Sequence, residues 1–122
     1  HAGASGLAIM AFLSKEERQT IIERTRLAPL TDRTITDPVA LEEELARVRA
    51  RGYAFSRSQR TQGAVAVAAP IWGPDGRILG ELNVSVPESR FDAGMRPRLA
   101  QLVVRHAKRI MEKLGARAPS TK

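Results

Sequence analysis

Two apolar runs of strand length, separated by a four-residue turn, constrain the fold of this chain more than any other feature. The runs cover residues 65–72 and 77–86, and the segment 73–76 between them reads Gly-Pro-Asp-Gly. Turns of this composition join antiparallel strands, so the sequence predicts a β-hairpin. A shorter run at 53–55 predicts one more strand. Pro70 has no backbone N–H and therefore predicts a sheet edge or a bulge at its position.

Helical patterns precede these strands. Ser14 and Glu17 have the spacing of a capping box ahead of a short helix. Asp37 and Pro38 suit the N-cap and the first position of a longer helix, which Gly52 ends. The apolar stripe of the longer helix consists of Leu41, Leu45 and Val48.

A final helix is predicted over residues 93–114. Its apolar stripe is expected to comprise Leu99, Leu102, Val103, His106, Ile110 and Leu114. Helices followed by strands and then by a helix indicate the α+β class, with an antiparallel sheet flanked by helices. The chain opens abruptly on small and apolar residues over 1–13, from which we expect a fragment of a longer protein. Residues 116–122 are expected to form a flexible tail.

The charge balance leaves two interpretations open. The chain carries 20 Lys and Arg against 13 Asp and Glu, a formal net charge of +7. A basic balance favours a polyanionic partner, so one candidate function is a nucleic-acid-binding module that uses the C-terminal helix. The alternative is an ordinary solvated surface. Aromatic residues make up only 4% of the chain, which leaves few rings on which bases could stack.

Several classes of site lack the residues they need. Cysteine is absent, which excludes disulfides, thiolate catalysis and cysteine-ligated zinc, and with two histidines we expect no metal site. The sequence has no phosphate-binding glycine loop, dinucleotide fingerprint or nucleophile elbow, so we expect neither an enzyme nor a cofactor. No apolar run approaches the ~18–20 residues of a membrane helix. We expect a cytoplasmic protein without a membrane partner.

Short polar residues indicate a pocket for a small anion. Asn83 and Ser85 share one face of the second hairpin strand, and small residues at 2–6 leave the N–H groups of the first helix accessible. Arg57 or Arg60 would supply a guanidinium. The other interpretation is that all these side chains lie on a solvated outer surface, and the residues alone do not decide between the two.

The order of several short motifs resembles the effector-binding domain of the IclR family of transcriptional regulators, over nearly the whole chain. The motifs are Ala-Ile-Met-Ala at 8–11, Thr-Asp-Pro at 36–38, Gly-Tyr-Ala at 52–54, Ala-Ala-Pro-Ile at 68–71 and Leu-Asn-Val-Ser-Val-Pro-Glu-Ser-Arg at 82–90. No single motif is decisive, but their order and spacing together identify the family.

The resemblance implies a GAF-like fold over residues 1–115 and a sensing function. A small organic effector, such as a carboxylate or an aromatic acid, would modulate DNA binding by a separate winged helix-turn-helix domain that lies outside this chain. The family also implies a homo-oligomer, a dimer or a tetramer. Carried over by position, the effector-binding residues are Ala4, Ser5, Ser56, Ala64, Ala66, Asn83 and Ser85.

One departure from the family bears on the effector. Where relatives often have an acidic run, residues 56–59 read Ser-Arg-Ser-Gln. The pocket is therefore expected to be less acidic and more apolar. This predicts an effector that is larger or more hydrophobic than a two- or three-carbon acid, and that is still an anion.

Overall fold

The computed structural model describes residues 1–115. In this range the chain forms helices α1 (Gly3–Met10), α2 (Lys15–Thr25), α3 (Pro38–Arg51) and α4 (Met95–Lys113), strands β1 (Ala54–Arg57), β2 (Ala64–Trp72) and β3 (Ile78–Pro87), and a short 3-10 helix at Glu88–Arg90. The predicted α+β class is confirmed. The tail predicted at 116–122 lies outside the described residues.

The strands form an antiparallel sheet in the order β1-β2-β3. The predicted hairpin is confirmed, because the N–H of Gly73 donates to the carbonyl of Arg77 at 2.8 Å and closes the turn between β2 and β3. β1 pairs only with residues 65–68, so Pro70 lies beyond the end of β1. Because no residue of β1 lies opposite Pro70, its missing N–H costs no hydrogen bond to β1. The pairing of β2 with β3 shifts register just after Pro70, between Ile71 and Trp72.

Helices cover both faces of the sheet. On one face α1 and α3 pack against Ala54 and Ala68, and on the other α4 packs against Val67, Ala69 and Trp72. On the α1 side, the largest fully buried side chains of the core are Leu7, Met10, Leu41, Leu45 and Val48. Alternate positions of β2 on the α1 side carry alanine, and these small side chains let the start of α1 approach the sheet closely.

The predicted apolar stripe of α4 is wrong at most of its positions. The buried residues of this helix are Ala100, Val103, Ala107 and Met111. Leu102, Ile110 and Leu114 are instead 43%, 36% and 46% exposed, and His106 is exposed as well. The buried face carries two alanines, which allow close packing on the sheet. A stripe chosen by the size of its side chains therefore selects the neighbouring face of the helix.

The predicted capping box starts α2. The hydroxyl of Ser14 accepts from the N–H of Glu17 at 3.1 Å, and the carboxylate of Glu17 accepts from the N–H of Ser14 at 3.0 Å. The helix has no fully buried residue, and Ile21 and Ile22 are half-buried against the core. No helix within residues 1–115 is long and apolar enough to span a bilayer.

Candidate functional site

A cleft of about 360 Å³ lies where the start of α1 meets the sheet and the loop between β1 and β2. We call it the α1 cleft. All seven residues that the family resemblance assigned to effector binding line it, namely Ala4, Ser5, Ser56, Ala64, Ala66, Asn83 and Ser85. Its other lining residues are Ala2, Gly3, Gln59, Arg60 and Thr61.

The register of the sheet brings three of these residues together. Ser56 of β1 pairs with Ala66 of β2, and Ala66 pairs in turn with Ser85 of β3. The three residues therefore form a row across the sheet, with their side chains on the same face. The side chain in the middle of the row is a single methyl group, which leaves space between the two hydroxyls.

Ser56 also fastens the start of α1 to the sheet. The N-cap residue of α1 is Ala2, whose side chain has no oxygen that could accept from the first N–H groups. The hydroxyl of Ser56 takes over this role, because it accepts from the N–H of Ala4 at 3.0 Å in a buried position. A serine from a strand thus caps a helix that lies 52 residues away in the sequence.

Asn83 and Ser85 form the open side of the α1 cleft. Both are exposed, yet neither is far from α1, because Nδ2 of Asn83 donates to the hydroxyl of Ser5 at 2.9 Å. The same nitrogen also lies 3.1 Å from the carboxylate of Glu81. The polar face of β3 therefore meets the amino end of α1 and does not simply face water.

The loop after β1 brings in three residues that the resemblance did not assign. Hydroxyl groups of Thr31 and Thr34 donate to the carbonyl of Gln59, and Thr31 also donates to the carbonyl of Ser58. These bonds hold the loop against the connection between α2 and α3, with Gln59, Arg60 and Thr61 at the cleft. Only Arg60 had a signal in the sequence, as a possible cation. The position of the other two depends on contacts between residues more than twenty positions apart.

Gly3 lets this loop approach the helix closely. A Cβ at Gly3 would lie 3.3 Å from the Cβ of Arg60, and its φ of +81° is a conformation that other residues rarely adopt.

The charged side chain that lines the α1 cleft is a cation. Arg60 is the one ionisable side chain among its lining residues, and no carboxylate of residues 1–115 lies within salt-bridge distance of it. Arg57, the other cation considered from the sequence, lines a different cleft. One guanidinium beside several hydroxyl and amide groups suits a small anion with further polar groups.

Comparison with known proteins identifies the family. A family model described as "Bacterial transcriptional regulator IclR C-terminal" matches residues 1–112. The chain belongs to the IclR family. The resemblance seen in the sequence is thereby confirmed. One relative, the HTH-type transcriptional regulator BhcR of Paracoccus denitrificans (strain Pd 1222), is 34% identical over 110 residues, which make up 90% of this chain and 39% of BhcR.

Solved IclR-family structures share the fold. The IclR of Thermotoga maritima superposes with a TM-score of 0.86 at 30% identity, over 93% of this chain and 46% of that protein. The inducer-binding domain of PobR from Acinetobacter, a double mutant in complex with 3-hydroxybenzoic acid, gives a TM-score of 0.83 at 27% identity, over 90% of this chain and 65% of that one. The chain thus spans less than half the length of BhcR and of the Thermotoga protein.

Proposed function

We propose that this IclR-family chain is a ligand-sensing domain that binds a small organic anion in the α1 cleft. The observation that carries the proposal is the convergence of seven family-assigned residues and Arg60 on one cleft. The guanidinium of Arg60 would pair with a carboxylate of the effector. The hydroxyl of Ser85 and the amide of Asn83 would then hold its remaining polar groups.

We further propose that the effector is an aromatic acid or a carboxylate of similar size. A volume of about 360 Å³ is more than a two- or three-carbon acid would fill, and it falls within the range of small-molecule pockets. The alanines at 64 and 66 leave apolar surface for a ring. The complex of the PobR domain with 3-hydroxybenzoic acid supports the same class of ligand.

Sensing would act through linkage. An effector that binds one arrangement of the whole regulator more tightly than another shifts the population toward that arrangement, and with it the affinity for DNA. DNA would be bound by a separate winged helix-turn-helix domain, in keeping with the similarity to BhcR, an HTH-type transcriptional regulator. A regulator of this type would act in the cytoplasm, where bacterial DNA is found.

The experiment is a thermal-shift screen of the protein with aromatic acids and with short keto acids, followed by titration calorimetry of any hit. Free ligand at about a hundred times its Kd stabilises the folded state by about 2.7 kcal/mol, which is easily seen as a rise in Tm. We expect aromatic acids to raise Tm and short keto acids to have little effect. Stabilisation by the short acids alone would contradict the proposed effector class.

Two arginine variants test the site itself. Arg60→Gln removes the charge of the α1 cleft and is expected to weaken binding roughly tenfold or more, since hydrogen bonds to charged groups contribute about 1.5–3 kcal/mol. Arg24→Gln makes the same change on the exposed surface of α2 and serves as the matched control. Equal affinity of the two variants would place the ligand elsewhere.

We also propose that the protein assembles as a homo-oligomer through the exposed surface between α4 and β3. This α4–β3 surface forms an apolar groove of about 770 Å³, and its apolar lining residues are Leu82, Val84, Leu102, Val103 and Ile110. Within the described chain β3 is one of the two outer strands of the sheet, so one of its edges has no strand partner. An open edge beside exposed leucine and isoleucine side chains is a common site of self-association.

The nucleic-acid-binding alternative remains a prediction. α4 keeps Arg98, Arg105, Lys108 and Arg109 exposed, so a basic surface is available on this helix. Binding of the protein to arbitrary duplex DNA, with an affinity that falls steeply as salt is added, would support this alternative.

A further inference from the structure

A second cleft lies on the opposite face of β1 from the α1 cleft. Its volume is about 490 Å³. Ser56 lines the α1 cleft, whereas its neighbours Phe55 and Arg57 line this one, because successive residues of a strand point to opposite faces. We call it the arginine cleft, and its lining residues are Arg33, Glu44, Arg47, Arg51, Phe55, Arg57, Gln59 and Arg96.

Positive charge is in large excess in the arginine cleft. Five arginines line it, against a single carboxylate, that of Glu44. This carboxylate is already used, since its two oxygens each lie 2.9 Å from a guanidinium nitrogen, one of Arg47 and one of Arg51. Outside the lining, Glu88 approaches Arg57 only to 3.7 Å. The other two arginines, Arg33 and Arg96, have no carboxylate of residues 1–115 within salt-bridge distance.

Two buried polar atoms of this cleft form no hydrogen bond. Within the described residues these are Nε of Arg57, which lies 3.7 Å from a carboxylate oxygen of Glu88, and Oε1 of Gln59. Buried polar groups are nearly always satisfied, and each exception calls for an explanation such as a ligand. Here one atom is a donor and the other an acceptor, and both belong to side chains that line the same cleft.

Aromatic rings hold two of the guanidinium groups in place. The guanidinium carbon of Arg96 lies 4.1 Å from the centre of the Phe55 ring, and that of Arg57 lies 5.1 Å from the centre of the Phe91 ring. Stacking on a ring leaves the N–H groups at the edge of a guanidinium free to donate. It also orders the side chains before a ligand arrives, which lowers the entropy lost on binding.

We propose that the arginine cleft binds a phosphorylated small molecule, at a site distinct from the proposed effector site. A lining with five cations and one neutralised carboxylate favours an anion of two or more charges over a monocarboxylate. The planar guanidinium fork matches phosphate oxygens in pairs. Gln59 lines both clefts, so a ligand in one would contact a side chain that also borders the other. Its orphaned carbonyl oxygen would accept from a hydroxyl group of the ligand.

The test is titration calorimetry of the protein with inorganic pyrophosphate at physiological ionic strength. The variants are Arg96→Ala and Arg33→Ala, which remove unpaired cations from two different parts of the fold. The matched control is Arg98→Ala, which removes an equal charge from an exposed position on the same helix as Arg96. Circular dichroism establishes that each variant is folded.

We expect pyrophosphate to bind the protein and the Arg98 variant alike, and each cleft variant to bind roughly tenfold more weakly or worse. Equal weakening by all three variants would reduce the effect to the net charge of the chain and overturn the proposal, as would absence of binding at millimolar pyrophosphate. A short DNA duplex added in parallel distinguishes the source of the phosphate. If the duplex binds more tightly than pyrophosphate and both cleft variants lose this binding, the cleft is a nucleic-acid site and the proposal of a phosphorylated small molecule is overturned.

The outcome is independent of the proposed effector site. Neither Arg33 nor Arg96 lines the α1 cleft, so their replacement is expected to leave the binding of aromatic acids unchanged.

Discussion

Replacement of Ser56 by alanine removes the oxygen that accepts the N–H of Ala4 in the first turn of α1. Ser56 is 4% exposed and Ala4 is 1% exposed, so water has little access to the N–H that is left behind. A buried donor without a partner costs about 1–3 kcal/mol of stability. For a domain of this size each kcal/mol corresponds to a fall in Tm of roughly 3–6 °C.

Urea unfolding measures this loss directly. Trp72 is the single tryptophan of the chain and is 7% exposed, so its fluorescence reports on the core between the sheet and α4. We expect the Ser56→Ala variant to unfold at lower urea with an unchanged m-value, because the surface exposed on unfolding is nearly the same.

Ser5→Ala is the matched control. This variant also removes a serine hydroxyl from the α1 cleft. The Ser5 hydroxyl, however, accepts from the exposed Asn83, and water can take its place as the acceptor. Its effect on stability should stay within about 0.5 kcal/mol. If the two variants lose equal stability, or if Ser56→Ala loses none, the cap provided by Ser56 does not stabilise α1 and this reasoning fails.

Three further perturbations address other parts of the molecule. Ile110→Glu places a charge on the α4–β3 surface and should lower the mass of the protein measured by light scattering; an unchanged oligomer would exclude this surface as the interface. The pKa of Glu17 is lowered by the capping-box hydrogen bonds, first from the backbone and then from the side chain of the N-cap serine. The associated stability is therefore present above the ordinary value of 4.5 and is lost as pH falls through the lowered pKa, so Glu17→Gln should flatten that part of a stability curve measured by urea unfolding. Arg49→Ala removes a 2.9 Å bond to the carbonyl of Ala11 at the end of α1 and should cost about 1–2 kcal/mol in thermal unfolding. Arg47→Ala removes a 58% exposed side chain from its ion pair with Glu44 and should cost less than about 0.5 kcal/mol. Equal losses would contradict the importance of burial.

Most elements of the fold could be predicted because their signals are local. The capping box at Ser14 and Glu17, the N-cap at Asp37 and the turn at 73–76 each act within a few residues, so the sequence around them is sufficient. The buried face of α4 could not be predicted in this way. Its stripe was chosen for large apolar side chains, whereas the sheet selects a face with Ala100 and Ala107 because close approach requires small residues.

The candidate site shows the same division. Family resemblance assigned seven residues that all line the α1 cleft, and the alternation along β3 already grouped Asn83 with Ser85. Nothing in the sequence indicated which cation joins them. Arg57 and Arg60 are three residues apart, but the first belongs to a strand and points to the far face. The second lies in a loop that threonine hydroxyls of the connection between α2 and α3 hold in place, at the α1 cleft.

The sequence by itself thus determined the order and type of the elements, the hairpin and the family, since these depend on contacts between neighbours in the chain and on motif order. Tertiary structure alone decided that Ser56 caps α1, that Arg60 borders the α1 cleft, and that five arginines gather in a second cleft. Each of these depends on strand register and on helix packing. They bring together residues tens of positions apart, at distances that no local pattern encodes.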